Sequence, residues 1–134
     1  MENKYDILCV ANGKKENARL LLHEEKEKYE IKFEMNTLNV SATADNYFFA
    51  LVELRKKLEP LNIEVLCKGC SRYVYPSPMI LSMGEAIEAY QLTMGKQART
   101  KDLVNIFESC EQDEYASVEE QYVYYMEWSK SKKS

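Results

Sequence analysis

Residues 29–36 read YEIKFEMN, and their alternation between apolar and polar side chains constrains the fold more than any other feature. The apolar members are Tyr29, Ile31, Phe33 and Met35. Successive side chains of a β-strand point to opposite faces, so this period of two predicts a strand with one buried and one wet face. Sheets with a wet face are usually antiparallel, because parallel sheets are covered on both faces. The segment therefore predicts an antiparallel sheet.

Two more strands are predicted upstream. Residues 4–11 are apolar and rich in β-forming side chains, and residues 18–23 form a second apolar run. The Asn12-Gly13 pair between them is the strongest short turn signal, because both residues accept a positive φ. The charged run of residues 24–28 then predicts a solvated turn that leads into the alternating strand.

A helix is predicted after the third strand. Its apolar side chains recur at spacings of four and three residues and are Tyr47, Leu51, Leu54 and Leu58. Thr43 or Asp45 is the expected N-cap. Pro60 ends the helix, because its ring cannot continue the helical hydrogen bonds. Residues 63–66 then predict a short strand.

The C-terminal half has weaker patterns. Residues 79–83 fit either a strand or a turn, and residues 86–93 predict a strand that ends near Gly95. Thr100 or Asp102 is the expected cap of a helix whose apolar side chains are Leu103, Val104, Ile106, Phe107 and Cys110. Residues 117–129 have apolar side chains at both helical and strand spacings, and the Ser-x-x-Glu capping box at their start favours a helix.

These elements predict an α+β fold, a mainly antiparallel sheet with helices packed on one face. The chain of 134 residues is expected to form one domain, residues 1–134. Its net charge of −4 argues against nucleic acid as a partner, since phosphate binding needs clustered cations. No apolar run is long enough to span a membrane and no signal peptide is visible, so we expect a cytoplasmic location.

The motif Cys67-Lys68-Gly69-Cys70 has three interpretations. A structural zinc needs about four protein ligands, and the other candidates, Cys9, Cys110 and the single His23, are not closely spaced. A redox pair normally opens a helix, whereas the residues after Cys70 cannot begin a long one. We therefore favour a tight turn in which Gly69 supplies backbone freedom and Cys70 is partly exposed. No metal or cofactor is predicted.

No arrangement typical of catalysis is visible. The single histidine lies beside an acidic run, and the chain has neither a Gly-x-Ser-x-Gly motif nor a glycine-rich phosphate loop. We therefore predict that the protein is not an enzyme, and we assign no catalytic residue.

Two compositional signals indicate a binding surface. The chain has 10 tyrosines, a residue type favoured at interfaces. Tyr73 and Tyr75 lie in a loop bounded by proline, and a second aromatic cluster lies near the C-terminus, namely Tyr122, Tyr124, Tyr125 and Trp128. Residues 108–120 contain six acids and no base. Each signal has a second interpretation, because the rings can fill the core and the acids can form a solvated loop and helix start. The predicted partner-binding residues are Arg72, Tyr73, Tyr75, Glu111, Asp113 and Glu114.

The stretch YVYPSPMILSMGEAIEAYQLTMGKQARTKDLVNIFES, residues 73–109, resembles a group of short bacterial proteins with a Tyr-Pro-Ser…Met-Gly…Ala-Tyr…Leu…Gly…Asp-Leu-Val-x-Ile-Phe pattern. The matching positions are Tyr75, Pro76, Ser77, Met83, Gly84, Ala89, Tyr90, Leu92, Gly95, Asp102, Leu103, Val104, Ile106 and Phe107. A glycine often follows the Pro-Ser of that pattern, whereas Pro78 stands here. These proteins look like the small cytoplasmic immunity proteins that accompany bacterial toxins. The resemblance implies toxin binding and no catalytic role.

The leading hypothesis is a non-enzymatic, cytoplasmic protein-binding domain that inhibits a bacterial toxin, whose partner would be a protein such as a basic toxin domain. It predicts no particular oligomeric state. The alternative is a small enzyme or ligand-binding domain with a site in the loop of residues 72–83, where Arg72 would hold an anion beside Tyr73 and Tyr75. A third hypothesis is a thiol or metal sensor that uses Cys67 and Cys70.

Overall fold

The computed structural model describes residues 3–82 and 84–131, and its larger sheet has five antiparallel strands. In chain order they are β1 (Asn3–Ala11), β2 (Lys14–Glu25), β3 (Lys28–Met35), β4 (Leu38–Ala44) and β5 (Ile63–Val65). In space they lie in the order β4-β3-β2-β1-β5. Phe33 in β3 lies opposite Leu20 on one side and Val40 on the other. The antiparallel sheet and the α+β class predicted from the sequence are confirmed.

Tight hairpins connect the first four strands. The predicted Asn12-Gly13 turn is confirmed, and the two residues have positive φ values of 52° and 83°. Lys26 and Glu27, between β2 and β3, have φ values of 52° and 62°. Turns of this kind match the right-handed twist of the flanking strands. Strand β2 extends from one turn to the next, so it is longer than the strand predicted over residues 18–23.

The fourth strand was not predicted. The residues taken as helix-capping candidates, Thr43 and Asp45, lie at its end, and the N-cap of the helix is instead Asn46. The Asn46 side-chain oxygen accepts the backbone N–H of Phe49 at 2.8 Å. Residues 38–44 read LNVSATA and alternate between apolar and polar side chains, which is itself a strand signal that the prediction missed. The strand pairs with β3 through the turn after Met35.

Helix α1 (Tyr47–Leu58) packs on one face of the five-stranded sheet and completes the main core. The predicted apolar stripe of α1 is confirmed, since Tyr47, Leu51, Leu54 and Leu58 are all buried. The inward side chains of β3 meet this stripe, and Phe33 has no exposed surface. Pro60 lies in a short 3-10 turn, Glu59–Leu61, directly after the helix.

A second antiparallel sheet has the order β6-β7-β8, formed by β6 (Val74–Tyr75), β7 (Glu88–Gln91) and β8 (Leu103–Asn105). The strand predicted over residues 86–93 is thus present but shorter. The segment predicted as strand or turn after Pro78 is a short helix, α2 (Pro78–Ser82), which begins where the Ser77 hydroxyl accepts the N–H of Ile80 at 3.1 Å. Met83, part of that prediction and of the bacterial pattern, lies outside the described residues.

The helix predicted from Leu103 to Cys110 is wrong, because residues 103–105 pair with β7 and a turn follows. Side chains supply the backbone hydrogen bonds of this turn. The Asn105 amide oxygen accepts the N–H of Phe107 at 2.8 Å, and the Glu108 carboxylate accepts the N–H of Asn105 at 2.9 Å. Such local bonds compete with helix formation.

The last element is α3 (Val118–Ser131), and here the predicted capping box is confirmed. Ser117 N–H donates to the Glu120 carboxylate at 2.9 Å, and Glu120 N–H donates to the Ser117 hydroxyl at 3.1 Å. α3 packs against β6 and α1. Of the helices in the described ranges, none combines the length and apolar character needed to cross a membrane.

Candidate functional site

The structure brings together the two segments that contain the predicted partner-binding residues. The backbone N–H of Arg72 donates to the carbonyl of Glu114 at 2.7 Å, and Ser71 forms an antiparallel bridge with Tyr115. The loop of residues 72–75 and the acidic residues 111–114 therefore lie side by side, just before α3 begins.

The side chain of Glu114 lies in the contact between these two segments, which we call the junction. One carboxylate oxygen lies 3.4 Å from both the Ser71 hydroxyl and the Lys68 ammonium, and the other accepts the N–H of Glu111 at 3.2 Å. Glu114 therefore holds the junction together, whereas Glu111 and Asp113 are exposed. Only these last two of the predicted acids are available to a partner.

The two tyrosines of the loop differ in exposure. The Tyr73 ring is half-buried and meets the edge of Tyr124 at a centroid distance of 5.2 Å. Tyr75 is only 9% exposed, and its ring stacks on Tyr125 at 4.1 Å and meets Phe48 edge-on at 5.0 Å. Burial raises the pKa of Tyr75 to about 12, so its hydroxyl stays neutral. Tyr75 thus packs between α1 and α3 and offers little surface to a partner.

Helix α3 is anchored along its inner face. The Glu59 carboxylate, at the end of α1, accepts the N–H of Val118 at 2.9 Å. Near the other end of the helix, the Trp128 indole N–H donates to the carbonyl of Lys96 at 2.8 Å. Gln121 on the same face is fully buried. These contacts fix the position of α3 on the body of the protein.

The outer face of α3 carries exposed apolar side chains. Tyr122 is 50% exposed, Val123 is 47% exposed and Met126 is 37% exposed. Met126 follows Tyr122 by four residues and Val123 by three, so its side chain is a neighbour of both on the helix surface. We call Tyr122, Val123 and Met126 the α3 apolar strip. The sequence showed the tyrosines near the C-terminus, but the strip became visible only once the buried face of α3 was known.

Two open grooves border α3. One, of about 340 Å³, is lined mainly by apolar groups that include Tyr75, Tyr90, Leu92 and Trp128. The other, of about 650 Å³, lies where the first hairpin meets the start of α3, and its charged side chains are Glu59, Glu64 and Glu120. The α3 apolar strip does not line either groove.

A buried polar network lies beneath α3. The guanidinium of Arg55, which is 1% exposed, donates to Gln121 Oε1 at 2.7 Å, to the carbonyl of Ala116 at 2.5 Å and to the carbonyl of Gly69 at 3.4 Å. It also lies 5.6 Å from the centre of the Tyr115 ring, within cation–π range. No sequence pattern indicated this network, because Arg55 precedes two exposed lysines in the basic last turn of α1.

The amide nitrogen of Gln121 continues the network. It donates to the carbonyls of Gly69, Ser71 and Val74 at 2.8, 2.9 and 2.9 Å. One buried side chain of α3 thereby binds both the turn that contains the cysteine pair and the first strand of the smaller sheet.

The cysteine pair forms the tight turn favoured from the sequence, a 3-10 turn over Lys68–Cys70. The expectation that Cys70 is partly exposed is wrong, since both Cys67 and Cys70 have no exposed surface. Their sulfur atoms lie 3.6 Å apart. In the described ranges no group of three or more His, Cys, Asp or Glu side chains is arranged to hold a metal ion.

The prediction that Gly69 supplies backbone freedom to the turn is also wrong, because its φ is not in the left-handed region. Lack of space is what requires a glycine here. A Cβ atom at this position would lie 2.6 Å from Leu51 Cδ2 and 3.0 Å from Ile106 Cβ. The glycine lets the turn approach α1 and the segment after β8 closely.

Gly69→Ala is therefore expected to lower the free energy of unfolding by about 1–3 kcal/mol, the range for overpacking a tight core. Leu51 is fully buried and has little room to move. Urea unfolding followed by circular dichroism measures the change. The double variant Gly69→Ala/Leu51→Ala should lose less free energy of unfolding than the sum of the losses of the two single variants, because the smaller side chain makes room for the new methyl group. A loss equal to that sum would contradict a clash at Leu51.

Comparison with known proteins gives no assignment. No model of a known protein family matches the chain, and no curated protein matches its sequence.

Proposed function

We propose that the protein is a non-enzymatic protein-binding domain, an immunity-type inhibitor of a bacterial toxin in the cytoplasm, and that the α3 apolar strip contacts the toxin. The observation that carries this proposal is the set of three neighbouring apolar side chains exposed on one face of an anchored helix. Single exposed apolar residues are ordinary, whereas contiguous apolar patches with a polar rim are typical of protein interaction sites.

Charge around the strip supports a basic partner. Glu119 and Glu127 are exposed and lie one helical turn before and after Val123 on the same face of α3. Glu111 and Asp113 add exposed negative charge just before the helix. An acidic rim speeds association with a basic surface and selects against acidic partners.

The rigid attachment of α3 also supports binding. Gln121, Trp128 and the capping residue Glu59 hold the helix before any partner arrives. A surface that is already ordered loses less conformational entropy on association than a mobile one. The resemblance of residues 73–109 to bacterial immunity-like proteins points to a toxin as the partner.

The proposal is tested first with the product of the gene next to the one that encodes this chain, because an inhibitor is usually encoded beside its target. The neighbouring protein should inhibit growth when expressed alone, and co-expression of this chain should restore growth. The two proteins should also co-purify. A neighbouring product that is neither toxic nor bound would contradict the toxin-immunity proposal.

Tyr122→Ala combined with Met126→Ser is expected to weaken partner binding at least about tenfold, which corresponds to about 1.4 kcal/mol. Tyrosine anchors often carry a large share of interface energy. Isothermal titration calorimetry measures the affinity, and circular dichroism should remain unchanged because both side chains are exposed.

Leu8→Ser provides a matched control for this experiment. Leu8 lies on β1 and is 37% exposed, the same fraction as Met126. Its replacement removes a comparable apolar side chain far along the chain from α3 and should leave the affinity unchanged. Equal losses in the control and in the α3 variant would show that the strip is not the contact surface.

The apolar groove favours one second candidate, a ligand-binding domain. This groove is formed in part by Tyr75 and by the loop residues that follow it, where a ligand site was predicted as the alternative. The two functions are separable, because the α3 apolar strip lies outside the groove lining. The strip variant should leave the binding of a small apolar ligand unchanged while it weakens the binding of a protein partner.

A further inference from the structure

The turn that contains Cys67 and Cys70 holds two sulfur atoms in contact without a bond. The backbone N–H of Cys70 donates to the carbonyl of Cys67 at 2.8 Å and closes the turn. The sulfur atoms lie 3.6 Å apart, whereas a disulfide bond needs about 2.05 Å. A turn closed in this way keeps the two Cα atoms within about 7 Å, which a disulfide can span. Side-chain rotation can therefore join the sulfur atoms while the backbone stays in place.

Arg55 is a buried cation beside this turn, and in the part of the chain that the structure describes no carboxylate pairs with it. Within the described ranges no Asp or Glu oxygen lies within 4.0 Å of the Arg55 guanidinium, and its three hydrogen-bond acceptors are neutral. One of these acceptors is the carbonyl of Gly69, inside the cysteine turn, and the Nε of Arg55 has no acceptor at all. Gly69 directly precedes Cys70, so this contact places a positive charge beside the cysteine turn, where it favours a negative sulfur.

The two sulfur atoms differ in their surroundings. Burial opposes ionisation of Cys70, but a hydrogen bond from Cys67 and the charge of Arg55 together hold the pKa of Cys70 below its ordinary value. The pKa of Cys67 is raised, first because of its hydrogen bond to Cys70 and then because of burial. Cys70 is accordingly the sulfur of the pair that ionises more readily.

We propose that Cys67 and Cys70 are a thiol-oxidation site, which a small hydroperoxide converts to an intramolecular disulfide with the charge of Arg55 beside the turn. This site is independent of the α3 apolar strip and of the proposed toxin partner. A thiolate in an electropositive surrounding is the reactive form of cysteine. Both sulfur atoms are buried, so the oxidant reaches them through local opening of the turn, and the reaction is slower than at an exposed thiolate.

The reaction is a two-electron oxidation. The Cys70 thiolate attacks one oxygen of the hydroperoxide, the O–O bond breaks, and an alcohol or water leaves with a proton from solvent. Cys70 is then a sulfenic acid, which a neighbouring thiol converts to a disulfide. The Cys67 sulfur attacks the Cys70 sulfur, the S–O bond breaks, and hydroxide leaves as water with the proton of Cys67. The dithiol loses two electrons and the peroxide gains them.

The test uses the folded full-length protein and hydrogen peroxide as the oxidant. After quenching, the protein is denatured, free thiols are alkylated and the chain is cleaved with trypsin. Cleavage after Lys68 separates the two cysteines, so a disulfide holds residues 58–68 and 69–72 together as one species that reduction splits. We expect this linked species to form in the native protein. Full alkylation of Cys67 and Cys70, or linkage only after denaturation in urea, would overturn the proposal.

Two sets of variants test which cysteines form the disulfide and which sulfur attacks the peroxide. Cys110→Ala should still form the linked species, and its loss in this variant would assign the reaction to a different cysteine pair. In Cys67→Ser, whose hydroxyl can still donate to Cys70, the remaining Cys70 should be captured as a sulfenic acid by dimedone at least about threefold faster than Cys67 is captured in Cys70→Ser. Equal or reversed rates in folded variants would overturn the assignment of Cys70 as the attacking sulfur. Should either variant not fold, peptide mapping of the native protein still decides whether the site exists.

Discussion

Arg55→Ala is expected to lower the free energy of unfolding by about 3–5 kcal/mol, the range for deleting a large buried side chain and leaving its partners unsatisfied. Arg55 is 1% exposed, and its guanidinium donates to Gln121 Oε1 and to the carbonyl of Ala116. Alanine leaves a cavity between α1 and α3 and takes a donor from each of these buried oxygens. Urea unfolding followed by circular dichroism gives the free energy.

Lys56→Ala is the matched control for Arg55, one residue along α1. Its side chain is 57% exposed and pairs with Glu53, three residues earlier, at 3.1 Å. Such exposed pairs contribute little, so the control should change the free energy of unfolding by less than about 0.5 kcal/mol. Similar values for the two variants would contradict a structural role of the buried guanidinium. Arg55→Met, which keeps much of the volume, separates the effect of the cavity from that of the lost hydrogen bonds.

Gln121→Leu is expected to lower the free energy of unfolding by about 2–4 kcal/mol, because each buried polar group left unsatisfied costs about 1–3 kcal/mol. The Gln121 amide nitrogen donates to three carbonyls, those of Gly69, Ser71 and Val74, and its oxygen accepts from Arg55. Leucine has a similar size but neither donor nor acceptor. The same unfolding measurement applies, and Gln112→Leu is the control, since Gln112 is exposed.

Gln121→Glu distinguishes the two roles of this side chain. The carboxylate would give Arg55 a negative partner, but it would place an oxygen against three carbonyl oxygens that now receive hydrogen bonds. We expect a loss of stability comparable to that of Gln121→Leu. A Gln121→Glu variant as stable as the natural chain would show that contact with Arg55, rather than donation to the carbonyls, is the main contribution of Gln121.

The buried network links the fold to the proposed binding surface. Arg55 and Gln121 connect α1, the cysteine turn and β6 to the inner face of α3. The outer face of α3 carries the apolar strip, so the network determines where that strip is presented. We therefore expect variants of Arg55 and Gln121 to change the free energy of unfolding, and variants of the α3 apolar strip to change the affinity for the partner.

Local patterns predicted the N-terminal half of the fold well. The alternation of residues 29–35, the Asn12-Gly13 turn and the apolar stripe of α1 each depend on neighbours within a few residues. The Ser117–Glu120 capping box is likewise local, and it was identified correctly. Such features depend on backbone preferences and on the spacing of apolar residues within one element, so they can be predicted without knowing the tertiary contacts.

Two strands were missed for different reasons. β4 alternates between apolar and polar side chains and follows β3 through a tight turn, so its signal was local and was overlooked. Leu103–Asn105, in contrast, is a strand because it pairs with β7. The run from Leu103 to Cys110 is apolar enough to suit a helix, and the side-chain hydrogen bonds of Asn105 and Glu108 decide against it. Competition between local alternatives of similar free energy is resolved by tertiary contacts.

The sequence by itself determined that this chain forms an antiparallel sheet covered by a helix, and it located the cysteine turn and the tyrosine-rich helix. Only the tertiary structure decided that Tyr75 and Cys70 are buried, that Arg55 is inside while Lys56 beside it is outside, and which face of α3 remains open. Gln121 and Ala116, which accept hydrogen bonds from Arg55, lie 66 and 61 residues from it in the chain. Burial is a property of what packs on a side chain, and no local pattern records contacts made across that separation.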